Sequence, residues 1–253
     1  MKALVAFLLL AAVLPLSAEA APAPSAEQTQ RIAAAYVLAF GRAPSAAELA
    51  QWSEQGPLSI ADLIARHRER LASDPAARRA AVIKAGQDAL GRTPAEDEIA
   101  RWSEGAHTYS ELMQRHLAWL AGHPADYAAI IRRAYQFLLR RNPYPSEVDY
   151  WKSRATLSYA LLVACLENWD RRNQPGLMET SGEATVSVNS VFLITIPLSP
   201  AVAAEARAAA GLSAAPAGYN LVAPRADAVV TSGGMFFAAA GSADLLPVRP
   251  SNP

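Results

Sequence analysis

A short string recurs three times along this chain, and it constrains the fold more than any other feature. Gly41-Arg42-Ala43-Pro44, Gly91-Arg92-Thr93-Pro94 and Arg140-Arg141-Asn142-Pro143 each place an arginine two residues before a proline. Four residues past each proline stands a glutamate, Glu48, Glu98 or Glu147, followed by Leu49, Ile99 or Val148. Eight past each proline stands a tryptophan, Trp52, Trp102 or Trp151. The chain holds five tryptophans, so three on equivalent positions mark an internal repeat rather than coincidence. A unit of about fifty residues cannot bury an apolar face alone and must stack on its neighbours.

Each unit is predicted to contain three helices. The first carries Ile32, Tyr36, Val37 and Phe40, or Ile131, Tyr135, Leu138 and Leu139, at helical spacing. Gly41 and Gly91 end it, because glycine enters the left-handed conformation at little steric cost. The following proline bars continuation and can open the next helix at its first turn. Ser45-Ala-Ala-Glu48 forms a capping box for a short second helix. A third helix starts near Ser59, Thr108 and Leu157-Ser158 and carries Leu63, Leu71, Leu112, Leu117, Leu120, Leu161 and Leu162. Asp74-Pro75 and His123-Pro124 punctuate the passage to the next unit, and no segment from Glu27 to Arg172 has a strand pattern. The expected body is all-α, with units at 27–79, 80–128 and 129–175 after a short linker at 21–26.

The string aromatic-x-x-x-(Phe/Leu)-Gly-Arg-x-Pro followed by a tryptophan resembles a module of bacterial secreted proteins called domain of unknown function 4214. That module is similar to the phycobilisome linker fold. Tyr36, Phe40, Gly41, Arg42, Pro44 and Trp52 carry the match in the first copy. Leu90, Gly91, Arg92, Pro94 and Trp102 carry it in the second, and Tyr135, Leu139, Arg141, Pro143 and Trp151 in the third. Gly86 stands in place of the helical tyrosine in the second copy, Arg140 replaces the turn glycine in the third, and the glycine usual before the tryptophan is missing. The resemblance implies an extracellular helical module without an established activity, and it carries over no catalytic residue.

Candidate binding residues are those the repeat itself selects: Arg42, Trp52, Arg92, Trp102, Arg141 and Trp151. Glutamate and tryptophan four apart share a helix face. The arginine can fold back to pair with the glutamate or lie over the indole. Such a set locks the turn between the first two helices or, alternatively, displays a row of aromatic platforms for sugar rings or partner chains. Alignment of the third helices puts His67, His116 and Cys165 on one position, a set of metal-ligand types. Stacked repeats hold such positions about 8–10 Å apart, too far for a shared ion, so no metal or other cofactor is expected. There is no Gly-x-Ser-x-Gly elbow and no phosphate-binding glycine loop. Glu96, Asp97 and Glu98 suit a helix start, and the basic pairs Arg132-Arg133 and Arg140-Arg141 suit a solvated face.

Charge and termini bound the rest. Basic and acidic side chains balance at 23 each, which gives no electrostatic footprint for nucleic acid. Met1-Lys2, an uncharged apolar stretch from Ala3 to Leu16 and the small residues of Ala18-Glu19-Ala20 have the form of a secretory signal covering 1–20. The apolar stretch is shorter than the ~20 residues that span a bilayer, so no integral membrane segment is expected after cleavage. The one cysteine, Cys165, cannot form an internal disulfide and is expected to be a buried small apolar group. From 176 to 253 alanine, glycine, serine and proline dominate a small β or irregular tail. Within it 186–196 has a strand pattern, Ala201–Ala210 a short helix pattern, and Ala228–Phe237 a weak hairpin pattern around Gly233-Gly234.

These features lead to an exported, non-enzymatic scaffold or interaction module of the periplasm or cell exterior, with an envelope or extracellular protein as partner. A glycan- or cell-wall-binding protein that uses the repeat tryptophans is the alternative. A hydrolase is a third reading, in which unrelated side chains converge on a site the sequence does not announce.

Overall fold

The structure is a computed structural model that describes residues 25–153, 156–163, 166, 198–210, 229–230 and 236–237. The expected signal segment 1–20, Cys165 and the strand pattern at 186–196 lie outside the described residues. What is described is mostly helical: α1 Ala26–Phe40, α2 Ala46–Ser53, α3 Ile60–Ser73, α4 Pro75–Leu90, α5 Glu96–Trp102, α6 Tyr109–Gly122, α7 Pro124–Leu139 and α8 Pro145–Lys152. A helical stretch follows over 159–163, and α9, Pro200–Ala209, comes from the C-terminal region. Two residue pairs, β1 Val229–Val230 and β2 Phe236–Phe237, run antiparallel with Val229 opposite Phe237.

Local chemistry accounts for where the helices begin and end. Ser25 caps α1 by accepting from the Gln28 amide at 3.1 Å, so the last two residues of the expected linker belong to the helix start. Asp74 Oδ1 accepts from the Ala76 and Ala77 amides, with Pro75 at the first helical position of α4. α4 and α7 therefore run through the expected unit boundaries at 79/80 and 128/129; the breaks fall at Asp74-Pro75 and His123-Pro124, where the prolines stand. The first helices end left-handed at Gly41 (φ 68°), Gly91 (φ 66°) and Arg140 (φ 54°).

α1 is the centre of the body. It packs against α2, α3, α4, α6 and α9, and Ala34 to Ala39 are exposed by at most 1 %. A helix apolar all round is stable only when enclosed on every side. α4 packs on α6 in the same way that α1 packs on α3, and α7 closes on α8 and α6. The loops into the third helices are held from the first helices: Gln28 accepts from the Leu58 amide at 3.3 Å, and the Tyr127 hydroxyl accepts from the Leu157 amide at 3.1 Å.

Candidate binding site

The six residues selected by the repeat fall at the three turns between a first and a second helix. In each, the arginine pairs with the glutamate six residues on and not with the tryptophan. Arg42 donates twice to Glu48, both at 2.7 Å; Arg92 donates twice to Glu98, both at 2.6 Å; Arg141 donates twice to Glu147, both at 2.7 Å. Planar guanidinium and carboxylate fit in this two-bond fashion, which fixes orientation as well as distance. The glutamate also accepts from a backbone amide at the helix start: Ser45 at 2.9 Å, Ala95 at 2.8 Å and Tyr144 at 2.7 Å. Only Ser45 returns the bond from its side chain, so the full reciprocal box forms once and the other two turns keep its glutamate half.

These bonds set the charge states. Donation from Arg42 and then from Ser45 holds the Glu48 carboxyl far below the usual range. Donation from Arg92 brings Glu98 down to about 2, and Arg141 lowers Glu147 likewise. The three carboxylates are thus held ionised, each bound to its own arginine.

The arginine planes lie over rings, but not over indoles. Arg42 stands 5.3 Å from the Tyr36 ring centre and 5.7 Å from that of Phe40, and Arg141 stands 5.1 Å from both Tyr135 and Tyr144. The tryptophans point inward instead. Trp52 donates its indole N–H to the Tyr36 hydroxyl at 2.9 Å, and Trp151, only 4 % exposed, donates to Tyr135 at 3.1 Å. Trp102 has no phenol to meet, because Gly86 occupies that place on α4. The Pro94 ring fills the gap: a Cβ on Gly86 would stand 2.2 Å from Pro94 Cγ.

Beneath the first two tryptophans lie histidines whose role sequence reasoning missed. His67 is fully buried among Tyr36, Phe40 and Trp52, with ring centres 4.5, 4.9 and 4.8 Å away. Neither of its ring nitrogens has a hydrogen-bond partner, and burial drives its pKa down to about 4. His116 lies 4.5 Å from Trp102, and burial brings it down to about 4 as well. The alignment with Cys165 needs correction by one residue. Ser59, Thr108 and Ser158 each accept from the amide three residues on, and eight residues past these caps stand His67, His116 and Leu166. The recurring distance from cap to histidine was the available signal. Among the described residues no three of histidine, cysteine, aspartate and glutamate are placed to share a metal ion.

The remaining predicted groups are engaged locally. Glu96 pairs with Arg79, Arg133 donates to the Leu90 carbonyl, and Arg132 is exposed. Arg70 from α3 reaches Glu48 at 3.4 Å and covers the Phe40 ring, a third arm on the first turn that the repeat pattern did not announce. Among the described residues the large apolar side chains that do face solvent are Trp119, 41 % exposed and stacked on His123, and Tyr144, 65 % exposed. A cleft of about 220 Å³ lies between α3, α6 and α9, lined by Leu38, Ile64, Arg68, Glu111 and Gln114, with Arg68 and Glu111 paired at 2.6 Å across it. No helix among the described residues is long and apolar enough to cross a membrane. The chain matches no protein-family model, no curated protein sequence and no solved structure.

Proposed function

We propose that this chain is an exported, non-enzymatic helical-repeat protein that serves as a scaffold or interaction module in the periplasm or outside the cell. The body is read as three tandem units related by the turn string, in keeping with the resemblance to domain of unknown function 4214, followed by a tail with some β character. The signal-like segment at 1–20 supports export.

The observation that carries the reading is the commitment of two of the three repeat tryptophans to hydrogen bonds within their own chain. Trp52 and Trp151 spend their N–H groups on Tyr36 and Tyr135, so the repeated set locks a turn rather than offering platforms. The arginines of the set are likewise spent on Glu48, Glu98 and Glu147. A rigid array of this kind presents extended surface, which suits a protein partner of the envelope or exterior.

The test is co-sedimentation of residues 21–253 with envelope fragments from the source organism, before and after protease treatment of the fragments. Pelleting that disappears after protease supports a protein partner. Pelleting on stripped fragments overturns it in favour of glycan or lipid, and the exposed Trp119 and Tyr144 then become the aromatic groups to examine.

A further inference from the structure

α9 stands where the first helix of a preceding unit would stand. Within the body α1 packs on α4 and α6, the first and third helices of the next unit; α9 packs on α1 and α3 in that same pairing. Among its described side chains Val202 and Ala206 are buried, with Leu198 just ahead of the helix and Ala210 just past its end. Among the described residues four polar joints fasten it. Glu205 accepts from Arg31 Nε at 2.8 Å and from the Ile60 backbone amide at 2.6 Å, the latter an otherwise unpaired donor in the first turn of α3. Gln30 accepts from the Ser199 amide at 2.7 Å, and Gln114 donates to the Ala210 carbonyl at 2.8 Å.

The first unit is adapted to this neighbour at the residue that meets it. Arg31 aligns with Ala81 and Ile130, both buried and apolar. Only the first of the three units carries a cation there, and Glu205 of α9 lies opposite it. Tandem arrays need their end faces closed, because an uncovered stacking face is apolar and complementary to the next unit.

We propose that α9 is an end cap supplied by the chain itself: it closes the N-terminal face of the array as a surrogate for a preceding unit, and so keeps that face from pairing with a second copy. The inference rests on the three-unit reading above, which the glycine substitutions argued in the Discussion test separately.

The experiment uses residues 21–253 carrying Val202→Asp with Ala206→Asp, substitutions confined to the buried face of α9, and in parallel the milder Glu205→Gln. Backbone hydrogen exchange is followed at Ile60 and along α1, with light scattering during size-exclusion chromatography. Expected in the double variant are at least tenfold faster exchange at Ile60, retained helical circular dichroism and concentration-dependent self-association. A peptide of residues 198–210 added in excess restores both protection and the monomer. Glu205→Gln should speed exchange at Ile60 alone. Unchanged exchange at Ile60 in both variants overturns the cap. So does a double variant that stays monomeric at every concentration, or one whose whole body unfolds, which would make α9 a core helix.

Discussion

The ring of Tyr159 lies against Gly91 so closely that a Cβ on the glycine would stand 2.6 Å from its Cδ2. At the end of α1 a Cβ on Gly41 would likewise stand 2.4 Å from Tyr109 Cδ2. α1 and α4 thus each end on a residue that must be left-handed and must also lack a side chain, because Tyr109 rests on Gly41 and Tyr159 on Gly91. Arg140 occupies the third such position at φ 54° and meets only the first of these demands.

Gly91→Ala should therefore cost about 2–4 kcal/mol, the sum of left-handed strain and displacement of a packed ring. Gly56 provides the control. Its φ is 80° with nothing within 4 Å of a Cβ, so Gly56→Ala should cost only the strain, about 1 kcal/mol. Arg140→Gly should shift stability by less than about 1 kcal/mol, since relief of strain opposes added freedom in the unfolded chain. Urea midpoints of the three variants rank these effects. Equal losses at Gly91 and Gly56 would remove the tyrosine contact, and with it the three-unit stacking, from the account.

The buried histidines predict a pH dependence of known sign. In the unfolded chain each imidazole titrates near its reference value of ~6.5, and in the fold His67 and His116 titrate at about 4. Above pH 6.5 both states carry neutral rings and the histidines leave stability unchanged. As pH falls from 6.5 towards 4 the unfolded chain takes up protons that the fold refuses, so stability drops. The loss is on the order of 3 kcal/mol per histidine across that window. His67→Phe fits a site already lined by three rings and should flatten the decline between pH 6.5 and 4.5, as followed by urea denaturation at a series of pH values. A wild-type curve with no slope in that window would contradict the burial.

The carboxylates act lower on the scale. Glu48, Glu98 and Glu147 are all held below the usual range by their arginines, so the stability they supply is present above about pH 4.5 and is lost as pH falls further. Glu48→Gln should cost about 1–2 kcal/mol at pH 7, because it strips a two-bond Arg42 contact, an amide bond and the Arg70 link. Glu98→Gln should cost about 1 kcal/mol, as it has no counterpart of Arg70. Solvent exposure of the arginines keeps both values modest. Thermal melts at pH 7 and pH 3 check the pair: the differences from wild type should shrink at pH 3 by similar amounts, since both folded carboxylates stay ionised there while the unfolded chain takes up protons.

Much of this was legible because it is local. Ser45, Ser59, Asp74 and Thr108 declare helix starts by side-chain chemistry within three residues, and the Arg-to-Glu pairing follows from six residues across one tight turn. The choice of aromatic partner was not legible. Whether a guanidinium covers Tyr36 or Trp52 depends on which ring the packing turns inward, and the Trp52 bond to Tyr36 decides that at a separation of sixteen residues. The docking of α9 was out of reach altogether. The Arg31–Glu205 pair joins residues 174 apart, and an alanine-rich helix carries no pattern that names the face it will cover.

Stability and binding should separate cleanly among the tryptophans. Trp52→Phe keeps a ring edge-on to His67 but leaves the Tyr36 hydroxyl without its donor, at about 1 kcal/mol. Trp151→Phe should cost as much or slightly more, because that indole and the Tyr135 hydroxyl are buried together. Trp151→Phe leaves the outer surface unchanged and Trp52→Phe only trims a half-buried ring, so both proteins should still pellet with envelope fragments at wild-type levels. Trp119→Ala removes a ring already 41 % exposed and should cost less than about 1 kcal/mol, while deleting the one indole that is largely open to solvent among the described residues. If Trp52→Phe abolished pelleting without unfolding, the repeat tryptophans would be contact residues after all. If Trp119→Ala alone abolished it, the interaction surface would lie on α6 beside His123.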